Sequence, residues 1–205
     1  MKNLSLTVEA GSVTGFCGPN GAGKSTFVKL CLGMLRPASG SISVLGGRPW
    51  GMGGRKIRLQ IGYVPQNTAG GTLPVTVEES VSMGLYGKLG FFRSLSYKNR
   101  LSVERAMEAC GIAHLAKKRV QELSGGQAQR AAIARALTPD AEILLLDEPT
   151  SNLDTDGRME LLHIIKERQE YRHITVLMVS HDEAALSECS RMYRFAEGRV
   201  TKLYD

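Results

Sequence analysis

This 205-residue chain has no run of apolar residues long enough to cross a bilayer; its longest aliphatic run, Ile143 to Leu146, falls far short of a spanning helix. Met1 to Ala10 lacks the apolar core of a signal peptide. Any membrane role is therefore expected to be by docking. Cysteine is scarce as well. Cys17, Cys31, Cys110 and Cys189 form no C-x-x-C pair and share no metal-ligand spacing with the histidines. Each sits in or beside an apolar segment, which predicts reduced, buried thiols in a cytosolic protein. No basic run exceeds Lys117-Lys118-Arg119, so the net charge of +6 reads as a mildly basic surface rather than a nucleic-acid footprint. Heptads and a second copy of any motif are missing too. The ordinary balance of 42% hydrophobic and 22% charged residues fits one globular domain over residues 1–205.

The chain is organised around Gly18-Pro19-Asn20-Gly21-Ala22-Gly23-Lys24-Ser25, followed by Thr26. The spacing is G-x-x-x-x-G-K-S, the phosphate-binding loop known as Walker A. Glycines let backbone N–H groups turn inward and approach a polyphosphate closely. Lys24 supplies a mobile positive charge for the β- and γ-phosphates, and the Ser25 hydroxyl can ligate Mg²⁺. A buried strand, Val13 to Cys17, precedes the loop. A helix from Lys24 to Leu35 is expected after it, with Phe27, Leu30, Cys31, Met34 and Leu35 at inward spacing and Pro37 ending it. A plain glycine turn between strand and helix would not need the Lys-Ser pair. The loop predicts binding of a nucleoside triphosphate.

Several further elements can be placed. Asn3 to Val8 alternates apolar and polar residues, as a half-buried strand does, and Ser41 to Leu45 reads as another strand. Gly51 to Arg55 is glycine-rich and reads as a loop. Leu59 to Val64 is a strand stopped by Pro65, with Gln66 just beyond. From Thr76 to about Leu123 only helices and turns are expected. Thr76 to Glu79 is a capping box, Gly87 to Ser96 a connector, and Lys98 to Cys110 a helix that Gly111 can cap. Strands resume at Glu142 to Leu146. A helix from about Thr155 to Tyr171 should point Met159, Leu162 and Ile165 inward. Ile174 to Val179 is a strand, Glu183 to Cys189 a short helix, and Met192 to Phe195 and Val200 to Leu203 are strands joined by Glu197-Gly198. This alternation predicts an α/β fold with a mixed, mostly parallel sheet and ligands at the carboxyl ends of its strands. Gly18, Gln66, Asp147 and His181 all follow strands. The core would be about 1–66 and 138–205, with a helical subdomain of about 76–137 inserted and a small antiparallel β region at the N-terminus.

Two carboxylates end the aliphatic strand. Asp147 falls where a P-loop site holds Mg²⁺, and Glu148 is placed to orient or deprotonate the attacking water. A carboxylate at the end of one buried strand is weak by itself, but gains meaning beside Walker A. Leu123-Ser124-Gly125-Gly126-Gln127 heads the alanine-rich helix Ala128 to Leu137. Ser-Gly-Gly at a helix start is either an ordinary cap or an anion site built from free N–H groups and the positive dipole end.

As a whole that pentapeptide resembles the signature of the ATP-binding cassette (ABC) ATPases, and the remaining family motifs follow in family order. The resemblance implies a P-loop NTPase of RecA-like type that hydrolyses ATP with Mg²⁺. It implies that Gln66 is the Q-loop glutamine, joining Ser25 and Asp147 at the metal, and that Glu148 is the base. It implies that Ser151-Asn152-Leu153-Asp154 is the D-loop and His181 a γ-phosphate sensor. It further implies a homodimer in which Ser124, Gly125, Gly126 and Gln127 of one copy close over ATP held by the other, driving a membrane permease from the inner face of the cell membrane. Thr72 to Glu79 and Met83 to Gly90 look most like cassettes of manganese, zinc or iron-chelate importers, which work with an extracytoplasmic solute-binding protein. The alternative is a soluble cassette ATPase acting on nucleic acid or ribosomes, but such members carry a long coiled coil or two cassettes. A P-loop kinase or GTPase would not explain Leu123 to Gln127. One departure stands out. Family members place an adenine-stacking aromatic upstream of Walker A, before the position where Met1 begins, and Phe16 is poorly placed to replace it. Either the natural protein starts earlier, or base binding lacks a stacking contribution on the order of 1–3 kcal/mol.

Overall fold

The computed structural model describes residues 4–66, 74–90, 94–151 and 153–204. Its centre is a six-stranded sheet in the order β2-β3-β4-β1-β5-β6. These strands are β1 (Val13–Cys17), β2 (Ile61–Val64), β3 (Ile143–Asp147), β4 (Thr175–Val179), β5 (Arg191–Ala196) and β6 (Arg199–Tyr204). All neighbours run parallel except the β5–β6 hairpin. The expected mixed, mostly parallel sheet is therefore present.

Alternation along the strands divides the core between the two faces of the sheet. Leu144, Leu146, Val176 and Met178 belong to one cluster, while Leu145, Leu177, Val179 and Phe16 belong to the other. The first face is covered by α3 (Val77–Ser82), α5 (Tyr97–Ala109), α6 (Gly125–Leu137) and α7 (Thr155–Arg172). The second is covered by α1 (Lys24–Cys31) and α2 (Gly51–Arg58). Burial on both faces explains why the strands read as aliphatic runs. Leu144 and Leu145 are each 1% exposed and Leu146 is fully buried, so each contributes roughly 1.5–3 kcal/mol.

Between β2 and β3 the described chain is helical, with short α4 (Tyr86–Leu89) between α3 and α5. Thr76 and Glu79 form the expected capping box of α3, and Gly111 takes a left-handed φ of 66° after α5. The block meets the sheet at Gly62, where a Cβ would lie 2.4 Å from the Ala136 carbonyl oxygen. Backbone-to-backbone contact of this kind leaves no room for a side chain. Gly62→Val should therefore cost about 3 kcal/mol, read as a lower urea midpoint with an unchanged slope.

Some expectations need correction. Residues 51–55 are not a loop but the start of α2. Glycine's poor helix propensity is overridden because Gly54 packs against the Pro49 carbonyl and Arg58 Nη1 donates to the same oxygen at 2.6 Å. Leu4 to Val8 keeps the predicted alternation, with Leu4, Leu6 and Val8 half-buried, yet joins no sheet; Asn3 lies outside the described residues. Ser41 to Leu45 contributes only a bridge from Val44 to Gly47. Alternation says which side chains face the core, whereas a ladder also needs a partner strand at hydrogen-bonding distance. Helix α1 stops at Cys31, leaving Met34 65% exposed and Leu35 42% exposed. Met159 is 57% exposed, because the buried stripe of α7 runs through Leu161, Leu162, Ile164 and Ile165. Helix α8 (Glu183–Ser187) is shorter than expected. All four thiols are free, but Cys17 is only half-buried.

Candidate nucleotide site

The parallel strands deliver the site residues to one edge. Register pairs Phe16 with Val179, Asp147 with Val179 and Val64 with Leu146, so β1, β2, β3 and β4 end at a common level. Beyond β1 the chain turns through Gly18, with φ 139°, where a Cβ would lie 2.1 Å from the Phe195 carbonyl oxygen. Gly23, with φ 107°, starts α1 without any side-chain cap, and no acidic residue occupies the first turn. The first N–H groups of α1 thus remain available to an anion.

Lys24 is 7% exposed. Its Nζ donates to the Gly18 carbonyl at 2.6 Å and the Pro19 carbonyl at 3.1 Å, and lies 3.0 Å from His181 Nε2. An ammonium has no lone pair, so His181 Nε2 must be the acceptor, which assigns the ring proton to Nδ1. The 3.3 Å approach of Glu148 Oε1 to the same nitrogen is then not a hydrogen bond. Instead the His181 backbone N–H donates to Glu148 Oε2 at 3.3 Å. Behind His181, Arg158 forms an ion pair with Asp182 at 2.9 Å, although its Nε is too misaligned for a hydrogen bond. That pair ties α7 to the segment carrying His181. It was not legible in the sequence, because nothing local marks a partner 24 residues away.

Asp147 ends β3 and is 6% exposed. Burial raises its carboxyl above the ordinary 3.8, opposed by the charges of Lys24 and Lys29. Glu148 adopts a left-handed backbone, φ 53°, held by its N–H donating to the Val179 carbonyl at 2.8 Å. This strained conformation costs about 1 kcal/mol and turns the side chain toward His181. Burial raises the Glu148 carboxyl above 4.5, opposed by the His181 backbone N–H and by Lys24. A raised carboxyl is the usual state of a general base tuned toward neutral pH.

The sign of the Asp147 shift gives a prediction. A carboxyl whose folded pKa exceeds its unfolded value binds protons more tightly when folded, so its contribution to stability falls as pH rises above about 3.8. Asp147→Asn should raise the melting temperature of the nucleotide-free chain near neutral pH, and the gain should vanish below pH about 4. Melting curves across pH test this; a variant less stable at every pH would show that Asp147 is structurally required.

A cavity of about 160 Å³ brings together Asn20, Gly21, Gly23, Lys24, Ser25, Thr26, Gln66, Asp147, Glu148 and His181. Gly18, Pro19 and Ala22 shape the loop without lining it. A second cavity of about 540 Å³ holds Ser124, Gly125, Gly126 and Gln127 together with Leu153 and Asp154. Here Ser124 Oγ accepts the Gln127 N–H while Gln127 Oε1 accepts the Ser124 N–H, capping α6. Asp154 caps α7 through the Gly157 N–H at 2.9 Å, which places it beside the Ser-Gly-Gly turn rather than the phosphate loop; Asn152 lies outside the described residues. His114 and Arg130 also line this second cavity. Neither is marked by a motif: His114 lies in a short turn after α5, and Arg130 lies inside α6, beyond the Leu123–Gln127 signature. Phe16 is fully buried among Phe27, Tyr193 and Phe195, so it stacks on no base.

Fold and pocket together define a P-loop nucleoside-triphosphatase. Residues 1–151 match the family described as ABC transporter. The chain is 37% identical over 189 residues to the zinc uptake system ATP-binding protein ZurA of Listeria innocua, covering 91% of this chain and 72% of that protein. It is 36% identical over 188 residues to the manganese transport system ATP-binding protein MntA of a Synechocystis species, covering 90% and 70%. An ATP-binding cassette solved as a dimer in a post-hydrolysis state with ADP and Pi superposes with a TM-score of 0.87 at 27% identity, covering 100% of this chain and 91% of that one. The chain belongs to the ABC transporter family, and it is an ATP-hydrolysing cassette of that family.

Proposed function

We propose that this chain is the ATPase subunit of a membrane importer of metal ions or metal chelates, working as a homodimer closed by ATP. The observation that carries the reading is the separation of two half-sites. The phosphate-loop cavity and the Ser124–Gln127 cavity share no lining residue within one chain. A second copy, related by a two-fold axis, would set the Ser-Gly-Gly helix end of each subunit against the phosphates held by the other. The ADP-bound relative is a dimer, which supports this arrangement.

Each residue has a role in that assembly. The N–H groups of α1 and the Lys24 ammonium bind the β- and γ-phosphates, and Lys24 exchanges its loop carbonyls for phosphate oxygens. Glu148 accepts the proton of the attacking water, and His181 contacts the γ-phosphate. Mg²⁺ fits the donor set, because Ser25, Gln66 and Asp147 bring hydroxyl, amide and carboxylate oxygens to one cavity. When bound, the ion neutralises phosphate charge. The helices of residues 76–137 beside Gln66 form a subdomain whose outer face receives the permease, on the inner side of the cell membrane. Among the described residues no helix is long and apolar enough to cross a membrane, which fits a docked subunit. A solute-binding protein on the far side completes the system.

The metal assignment rests on relatives named for zinc and manganese. Deleting the chain from its host should abolish high-affinity uptake of radiolabelled zinc or manganese. Re-expression should restore it, while Lys24→Ala should leave uptake below about 1% of normal, as loss of a phosphate-gripping charge costs several kcal/mol. Unchanged uptake of both metals after deletion would remove the metal reading while leaving the ATPase intact.

A further inference from the structure

Far from the nucleotide pocket, a cleft of about 350 Å³ opens between α5, the C-terminal end of α6 and the last turns of α7. It lies at the opposite edge of the sheet, where Leu144 near the start of β3 and Ile174 just before β4 contribute to its lining. Four cations face it, Lys98, Arg105, Arg168 and Arg172, against one carboxylate, Asp140. Asp140 is already paired with Arg172 at 2.9 Å. Lys98, Arg105 and Arg168 have no ion-pair partner among the described residues. Arg168 Nε is, moreover, buried without a hydrogen-bond acceptor.

A helix dipole accounts for part of this. Arg172 ends α7, where a cation is favoured by the helix C-terminus. Arg105 sits in the middle of α5 and gains nothing of the kind. A buried guanidinium N–H without an acceptor is costly, and a carboxylate or phosphate oxyanion is the group that best satisfies it, since it accepts two parallel N–H bonds from the planar guanidinium. We propose that this cleft binds a small multivalent oxyanion, a phosphate ester or a polycarboxylate, gripped by Arg105 and Arg168 with Lys98 at the rim. Such a ligand ties α5, in the helical stretch between β2 and β3, to α7 on the sheet.

The test is calorimetric titration at low ionic strength with inorganic pyrophosphate and, separately, with citrate. The full chain carries Lys24→Ala so that the phosphate loop does not compete. At least one probe should bind saturably at one site. Arg168→Gln and Arg105→Gln should each weaken that binding at least tenfold. Asp140→Asn should tighten it several-fold, a gain that damage to the fold cannot mimic; asparagine accepts the left-handed φ of 55° found there. Binding of pyrophosphate alone assigns a phosphate ligand, and binding of citrate alone assigns a polycarboxylate. Absence of binding by both probes, or binding indifferent to all three substitutions, overturns the proposal.

Discussion

Glu148→Gln should lower steady-state ATP hydrolysis by about a thousandfold while leaving ATP binding intact. The expected size follows from the role proposed for Glu148: a positioned general base contributes typically 10²–10⁴-fold. The substitution is nearly isosteric, so the left-handed turn at φ 53° and the 2.8 Å bond from its N–H to Val179 should persist. The amide oxygen can still accept the His181 N–H, which now donates to Glu148 Oε2. Only proton acceptance is lost. The variant should therefore accumulate with ATP bound, and gel filtration with ATP should show a dimer that falls apart when the nucleotide is removed. Turnover close to the unmodified rate would take Glu148 out of the chemistry and pass the role to another group.

Ser124→Asp, added to Glu148→Gln, should dissolve that dimer. Aspartate is as good an N-cap as serine, so α6 keeps its capping bond to the Gln127 N–H. What changes is the charge at the helix tip. In the proposed dimer a carboxylate there would face the partner's phosphates, a like-charge contact costing several kcal/mol. A cost of about 3 kcal/mol weakens association roughly 150-fold. Nucleotide affinity of the isolated chain should not move, because Ser124 and the phosphate loop line separate cavities. Should ATP hold the double variant together as firmly as the single one, the two half-sites do not meet across the dimer. These substitutions together separate the chemistry of one chain from its assembly with another.

Much of this was legible in the sequence, and for a physical reason. The phosphate loop, the caps at Thr76 and Ser124, and the strand ends at Asp147 and His181 are local devices. Each is specified by a few neighbouring residues whose backbone requirements or burial leave little choice. What could not be read was whatever depended on a distant partner. Gly51 to Gly54 is helical because Ile57, in the same helix, is buried in the core cluster with Leu145 and Leu177 of the sheet. Met159 faces outward because the sheet meets a different stripe of α7. Leu4 to Val8 has the pattern of a strand and packs as one, without a ladder to join.

By itself, then, the sequence determined the motifs, their order and the alternating core that makes a parallel sheet. The tertiary structure alone decided which of those motifs share a cavity. Lys24, Gln66, Glu148 and His181 meet because parallel strands in register end at one edge. Ser124 and Asp154 meet elsewhere, because α6 and α7 begin side by side around a separate cavity. Spacing along a chain fixes local conformation, but distance between remote residues is set by strand order and packing.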